Sequence, residues 1–247
     1  QLTREDLATY RAVARTPLTA TLATWDLALN PPPAVGGVTV ARTLELDSGP
    51  ESTARAKALI KAFEERSAAS MRSPSTISVA AADADGGVVA GSFSAGYGSG
   101  VIPAGTGMLM NNALGELELL TERSEPGERM VSNMAPTVGR HDGDAVAVGS
   151  PGADRITSAV ATTIARLVRG DSLQEAIDHP RVHPEFGDRG VRIAAEPGQS
   201  LQGLDLETRW FDGPHMYFGG VNGAALLGGS LQAHADSRRT GSVAFSG

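Results

Sequence analysis

Two short apolar runs, Thr76 to Ala82 and Val88 to Ser94, flank the turn Asp83-Ala84-Asp85-Gly86-Gly87 and predict a β-hairpin. A second hairpin is predicted around His141-Asp142-Gly143-Asp144, with arms at Ala135 to Gly139 and Ala145 to Gly149. Upstream, Leu18 to Leu29 alternates loosely, as a strand pair does, until Pro31-Pro32-Pro33 stops it. Gly36-Gly37 opens a further element over Val38 to Leu46. Helical spacing puts Ala56, Leu59, Ile60 and Phe63 on one face of a helix over Ser52 to Ala69. The same spacing, in Ile156, Val160, Ile164, Leu167 and Val168, predicts a helix over Asp154 to Arg169, with a shorter one at Leu173 to Asp178. Thr3 reads as the N-cap of a short helix carried on by Leu7, Tyr10 and Val13. Ala95 to Gly107 is a glycine-rich irregular loop, and Ser67 to Ser75 is small and polar, the composition of a loop that can be cut. The last third alternates strand-like pieces with glycine turns, and its Trp210, Phe211, Tyr217 and Phe218 read as core. Strand pairs, then helices, then strands predict a layered α+β fold with mainly antiparallel sheets.

The 247 residues, 41% of them hydrophobic, suffice for a sizeable core in one large domain or two small ones. A formal net charge of -7 argues against a nucleic-acid or anionic-membrane partner, because phosphate binding needs a positive surface. No apolar run approaches the roughly 20 residues that span a bilayer. Without cysteine there is no disulfide frame, no thiolate nucleophile and no Cys-type zinc site. His179 and His183 have the spacing of a metal pair, but Pro180 and Pro184 break the helix it requires, so neither metal nor cofactor is expected. Gln1 to Asp6 lacks the basic and apolar regions of a signal peptide, which favours a cytoplasmic chain; a secreted or periplasmic one needs a signal further upstream.

Gly149-Ser150-Pro151-Gly152-Ala153-Asp154-Arg155 lies between a predicted strand and a predicted helix. Free N–H groups at such a helix start, aided by the macrodipole, hold an anion or a developing oxyanion. The same residues also make a plain cap, with Asp154 capping and Gly152 turning. Thr76 alone is an ordinary strand opening. Set beside Ser94 on the paired strand, Ser132-Asn133 and the Gly152-Ala153 turn, it becomes a candidate nucleophile, since a hydroxyl needs a base and an oxyanion site. As a new chain terminus it would use its own amine as the base, so no Ser/His/Asp arrangement is needed. Asp236-Ser237-Arg238-Arg239 reads as a structural turn with salt bridges.

Thr76-Ile77-Ser78-Val79-Ala80-Ala81-Ala82-Asp83-Ala84-Asp85-Gly86 resembles, without a gap, the start of the small subunit of the γ-glutamyltranspeptidase family of Ntn hydrolases. The likeness continues in Tyr97-Gly98-Ser99-Gly100, Met134-Ala135-Pro136-Thr137, Gly149-Ser150-Pro151-Gly152, His179-Pro180-Arg181-Val182-His183 and Met216-Tyr217-Phe218-Gly219-Gly220-Val221. Leu2 to Arg11, and Pro31-Pro32-Pro33 with Gly36-Gly37, are similar to the end of that family's large subunit. The resemblance implies a four-layer αββα sandwich, incomplete without the rest of the large subunit. Residues 1–75 would be the C-terminal part of a large-subunit-like segment, and 76–247 a small-subunit-like catalytic segment. It further implies a precursor that cuts itself between Ser75 and Thr76, and a Thr76 nucleophile oriented by Ser94. An oxyanion site on Gly152 and Ala153, a small-molecule amide substrate, and the remainder of the large subunit as partner complete the implied enzyme. Where the family binds the substrate's head group through Asn, Gln, Asp and a Ser-Ser pair, this chain has Gly96, Ala113, Glu116, Ser132 and Asn133; Glu116 keeps a role in meeting a substrate amine. Lost donors argue against assuming a γ-glutamyl substrate, as each unmatched buried polar group costs about 1–3 kcal/mol. Three activities stay open: γ-glutamyl hydrolysis or transfer; cleavage of another amide or a C–C bond of a specialised metabolite; and a non-catalytic, uncleaved binding or assembly subunit.

Overall fold

The computed structural model describes residues 3–66, 76–115 and 127–246. Thr3 caps α1 (Arg4–Thr9) reciprocally: its hydroxyl accepts from the Asp6 N–H, and the Asp6 carboxylate accepts from the Thr3 N–H. The helix stops short of the expected Val13 because Leu7, Tyr10 and Val13 are all exposed, so no core supports another turn. β1 (Leu18–Leu22) and β2 (Trp25–Leu29) form the expected hairpin, burying Trp25, Leu27 and Leu29. The next element is a helix, α2 (Val35–Leu46), with Gly36 and Gly37 inside its first turn. A Cβ on Gly36 would collide with the Asn133 carbonyl, and one on Gly37 with that of Asn30. These glycines let the helix start press against two loops. α3 (Ser52–Glu64) follows; the part of its expected extension beyond Arg66 lies outside the described residues.

β3 (Thr76–Ala82) and β4 (Val88–Ser94) pair over the bounds read from the sequence, with Thr76 opposite Ser94. β5 (Thr137–His141) and β6 (Asp144–Gly149) form the other expected hairpin, but its first arm begins at Thr137 and not Ala135. Asp142 and Gly143, both at positive φ, close a two-residue turn that carries pairing on to His141 and Asp144. Then come α4 (Arg155–Val168), α5 (Leu173–Asp178), β7 (Val182–Gly187), β8 (Gly190–Ala195), β9 (Thr208–Trp210), β10 (Asn222–Leu227) and β11 (Ser230–Ala235).

Six strands make one antiparallel sheet in the order β1-β2-β5-β6-β10-β11. Helices α2, α4 and α5 pack on one face, and the β3–β4 hairpin covers β5, β6 and β10 on the other. α4 is buried nearly all round, and Ile156, Val160 and Ile164 join Leu27, Leu29, Val40, Val146 and Val148 in the main core. A second core seats Leu59 and Phe63 of α3 on Val182 and Ile193 of the β7-β8-β9 sheet, where β9 runs parallel to β8. The aromatic cluster expected as core is split: Phe218 is buried, whereas Trp210, at the end of a three-residue edge strand, stands half in solvent. The hairpin half-buries several small residues and exposes most of its large ones. Ser78, Ala80 and Ser92 lie on the covered side, while Ile77, Val79, Val89 and Phe93 are exposed.

Candidate active site

The position of β3 is set two residues after its start. Ser78 Oγ donates to Asn222 Oδ1 at 3.1 Å, and Asn222 Nδ2 donates back to the Ser78 carbonyl. Gly149 forms the floor beneath this clamp, since a Cβ there would collide with Ser78 Oγ. Thr76 is buried, in register with Ser94, whose Oγ accepts from the Gly96 N–H at 3.1 Å. It borders a cavity of about 1140 Å³ between the free edge of β3 and β11 with the residues that follow it. Pro151, Gly220 and Arg239 border the same space.

Between β6 and α4, Gly152 has φ 135° and Ala153 φ 54°. A Cβ on Gly152 would come 2.9 Å from Gly219 Cα, so only glycine fits. Ala153 holds a left-handed conformation that costs a non-glycine residue about 1–2 kcal/mol. Among the described residues neither N–H of this pair is engaged. The turn is strapped down by Ser150, whose Oγ donates to the Pro151 carbonyl at 2.8 Å and accepts from the Gly220 N–H at 3.1 Å. Two unspent N–H groups at the positive end of a 14-residue helix can stabilise developing negative charge.

Asp154 does not cap the helix as the sequence suggests; its carboxylate turns inward instead. Oδ1 accepts from Asn133 Nδ2 at 2.6 Å and from Arg66 Nη2 at 3.1 Å, and Arg66 Nη1 donates to Asn133 Oδ1 at 3.1 Å. Asn133 thus spends both ends of its amide inside the protein. Ser132 offers its carbonyl to the N–H groups of Val35 and Gly36. The glycine-rich loop folds back through Asn112, which donates from its N–H to the Ala95 carbonyl and accepts from the Tyr97 N–H. That return brings Gly96 and Ala113 to the end of β4, and neither supplies a polar side chain. Ser75 and Glu116 lie outside the described residues. His183 is bound to Ser158 through Nδ1 at 2.7 Å, and burial, then the Arg155 and Arg66 charges, hold it well below its usual range. No group of three or more His, Asp or Glu able to hold a metal occurs among the described residues.

Arg66 and Asn222 escape the sequence reading, which also gives Arg155 and Arg239 no site role, naming them only within a helix-start turn and a structural turn. Arg66 meets Asp154 across 88 positions and Asn222 meets Ser78 across 144, so no local pattern marks either pair.

The gamma-glutamyltranspeptidase family model matches residues 50–246. The chain belongs to this family. Scoloptoxin SSD20 of Scolopendra dehaani is 29% identical over 188 residues, covering 68% of this γ-glutamyltranspeptidase-family chain and 93% of the toxin. A glutathione hydrolase proenzyme of Pseudomonas sp. (strain A14) is 32% identical over 130 residues, which is 46% of this chain and 23% of that one. Among solved structures, the cephalosporin acylase of Bacillus halodurans is 20% identical with a TM-score of 0.76, covering 100% of this chain and 56% of the acylase. The chain therefore spans about a quarter of that glutathione hydrolase proenzyme and little over half of the acylase. Its fold is the α+β fold of the Ntn hydrolases. Three of the expected layers, the helices, the six-stranded sheet and the β3–β4 hairpin, are among the described residues.

Proposed function

We propose that this chain carries the catalytic residues of an N-terminal threonine hydrolase or acyltransferase, cut from a precursor between Ser75 and Thr76, that acts on an amide of a small metabolite. The observation that carries it is Thr76, buried at the start of β3, opposite Ser94, on a cavity it shares with Pro151 of the Gly152–Ala153 turn. Freed by cleavage, the Thr76 α-amine takes the Oγ proton as Oγ attacks the amide carbonyl. The N–H groups of Gly152 and Ala153 receive the oxyanion, and the leaving amine departs with the proton. Water, or an acceptor amine, then attacks the ester and restores the Thr76 hydroxyl. In this reading Ser94 orients the nucleophile, and Gly96, Ala113, Glu116, Ser132 and Asn133 stand at the positions where the family meets the acyl group.

Glycine and alanine at two of those positions, and an Asn133 committed to Arg66 and Asp154, favour an acyl group other than γ-glutamyl. In this reading residues 1–75 end a large-subunit-like segment, 76–247 form the small subunit, and the rest of the large subunit is the partner that covers Ile77, Val79, Val89 and Phe93. Intact-mass analysis of the protein made together with that partner tests it. The wild type is expected to divide into pieces ending at Ser75 and starting at Thr76, while Thr76→Ala stays whole. A wild type that remains whole would leave only the uncleaved binding subunit.

A further inference from the structure

Arg239 differs from the arginines around it in what its charge meets. Arg238 is paired inside the protein with Glu196 and Asp236, and Arg181 with Asp236. Asp236 is fully spent, since it also accepts from the N–H groups of Val221 and Arg238. Among the described residues the Arg239 guanidinium makes a single bond, from Nη2 to the Met216 carbonyl at 3.1 Å. Its Nε is buried with no acceptor, and among the described residues no carboxylate pairs with it. The stem lies flat on Gly220, where a Cβ would be 2.8 Å from Arg239 Cβ, Cγ and Cδ. Gly220 is the residue strapped to Ser150, so the Arg239 stem rests on a fixed backbone, and Arg239 borders the same cavity as Thr76 and Pro151.

A second cation lies across the 216–218 turn. Arg155 donates from Nε to the Tyr217 carbonyl at 3.1 Å and lies 4.9 Å over the Tyr217 ring, again with no carboxylate partner among the described residues. Burial, and then the Arg155 charge, push the Arg239 guanidinium below its ordinary value. Two arginines that repel each other, one with a buried unused N–H, form a site that a planar anion would complete.

We propose that Arg239, reinforced by the field of Arg155, binds a carboxylate of the molecule that enters the Thr76 cavity. The site would select amides whose acyl or amine part bears a carboxylate over neutral ones. That this ligand is a substrate rests on the hydrolase reading above; the carboxylate site itself is tested without turnover. The full chain carrying Thr76→Ala is titrated calorimetrically with glutarate and, separately, with its neutral isostere glutaramide. Glutarate is expected to bind at least about tenfold more tightly. Arg239→Gln should abolish that preference, Arg239→Lys should keep part of it, and Gly220→Ala, which lifts the stem and leaves the charge, should weaken glutarate. Circular dichroism checks that each variant is folded; should Arg239→Gln not fold, the Lys and Gly220→Ala variants decide. Equal binding of the two probes, no glutarate binding, or an Arg239→Gln affinity equal to the parent's overturns the site. Arg239-dependent binding in a chain whose wild type is never cleaved would sink the hydrolase reading alone, and clean cleavage with Arg239-independent binding would sink this one alone.

Discussion

Gly152 and Ala153 hold positive φ under different terms. At Gly152 sterics and conformation both bar a side chain, whereas Ala153 tolerates the strain with its methyl group buried. Such strain persists where the surroundings over-determine it, here through Ser150, Gly219 and Gly220. Gly152→Ala is expected to lower the unfolding free energy by about 2 kcal/mol, seen as a lower urea midpoint. If the proposed hydrolase reading holds, the substitution should also cut kcat of the processed enzyme about a hundredfold, because the N–H it displaces is the one assigned there to the oxyanion. The neighbouring Asp154 would place an unwelcome negative charge beside that oxyanion were it not paired with Arg66. Arg66→Ala removes the cation paired with a buried carboxylate and should cost about 3–5 kcal/mol in urea unfolding. Adding Asp154→Ala should recover part of this loss; strictly additive costs would show that the two residues do not couple.

Among elements, α4 carries its polar residues into packed surroundings, and Ser158 uses its hydroxyl to hold His183. Burial holds His183 well below its usual range and, with nearby arginines, pushes His179 down to about 4. An unfolded histidine takes its proton near pH 6.5. Between about pH 6.5 and 4 the unfolded chain therefore binds protons that the folded one refuses, so stability falls as pH falls and is level above that window. Urea midpoints at pH 7.5, 5.5 and 4.5 measure this, and His183→Gln should flatten the curve; an unchanged wild-type midpoint across the range would contradict it. The β3–β4 hairpin was legible to the residue because apolar runs end on an acidic, glycine-rich turn. α1 was read too long because Tyr10 and Val13 keep helical spacing while both stay exposed, outside any core. The cap assigned to Asp154 was a local inference defeated by a distant arginine, and Trp210 looked like core only because its edge strand cannot be seen in sequence. The elements that carry Thr76, Ser94 and the Gly152–Ala153 turn were readable locally. Arg66, Asn222 and Arg239 join the site only through folding, so their contacts had no signature along the chain.

At the scale of the whole molecule, the hairpin's reversed faces leave Ile77, Val79, Val89 and Phe93 in the open as one apolar surface. Surfaces of that kind usually mark a contact with another protein segment. Alone, the chain is expected to bind a hydrophobic dye and to self-associate; Val89→Thr combined with Phe93→Thr should reduce both, with a shift in unfolding free energy of about 0.5 kcal/mol or less. Sedimentation and dye fluorescence check this, and a double variant as sticky as the parent would place the adhesive surface elsewhere. The clamp between Asn222 and Ser78 has a consequence on the same scale. Freed chain ends commonly fray over their first residues. Were the backbone broken ahead of Thr76, the loosened end would reach only as far as a side-chain amide that grips Ser78 by both hydroxyl and carbonyl, above a glycine floor with no room to slip. A scission at the most exacting point of the molecule would then stay a local event, changing the chemical identity of one residue while the sheet beneath it kept its register.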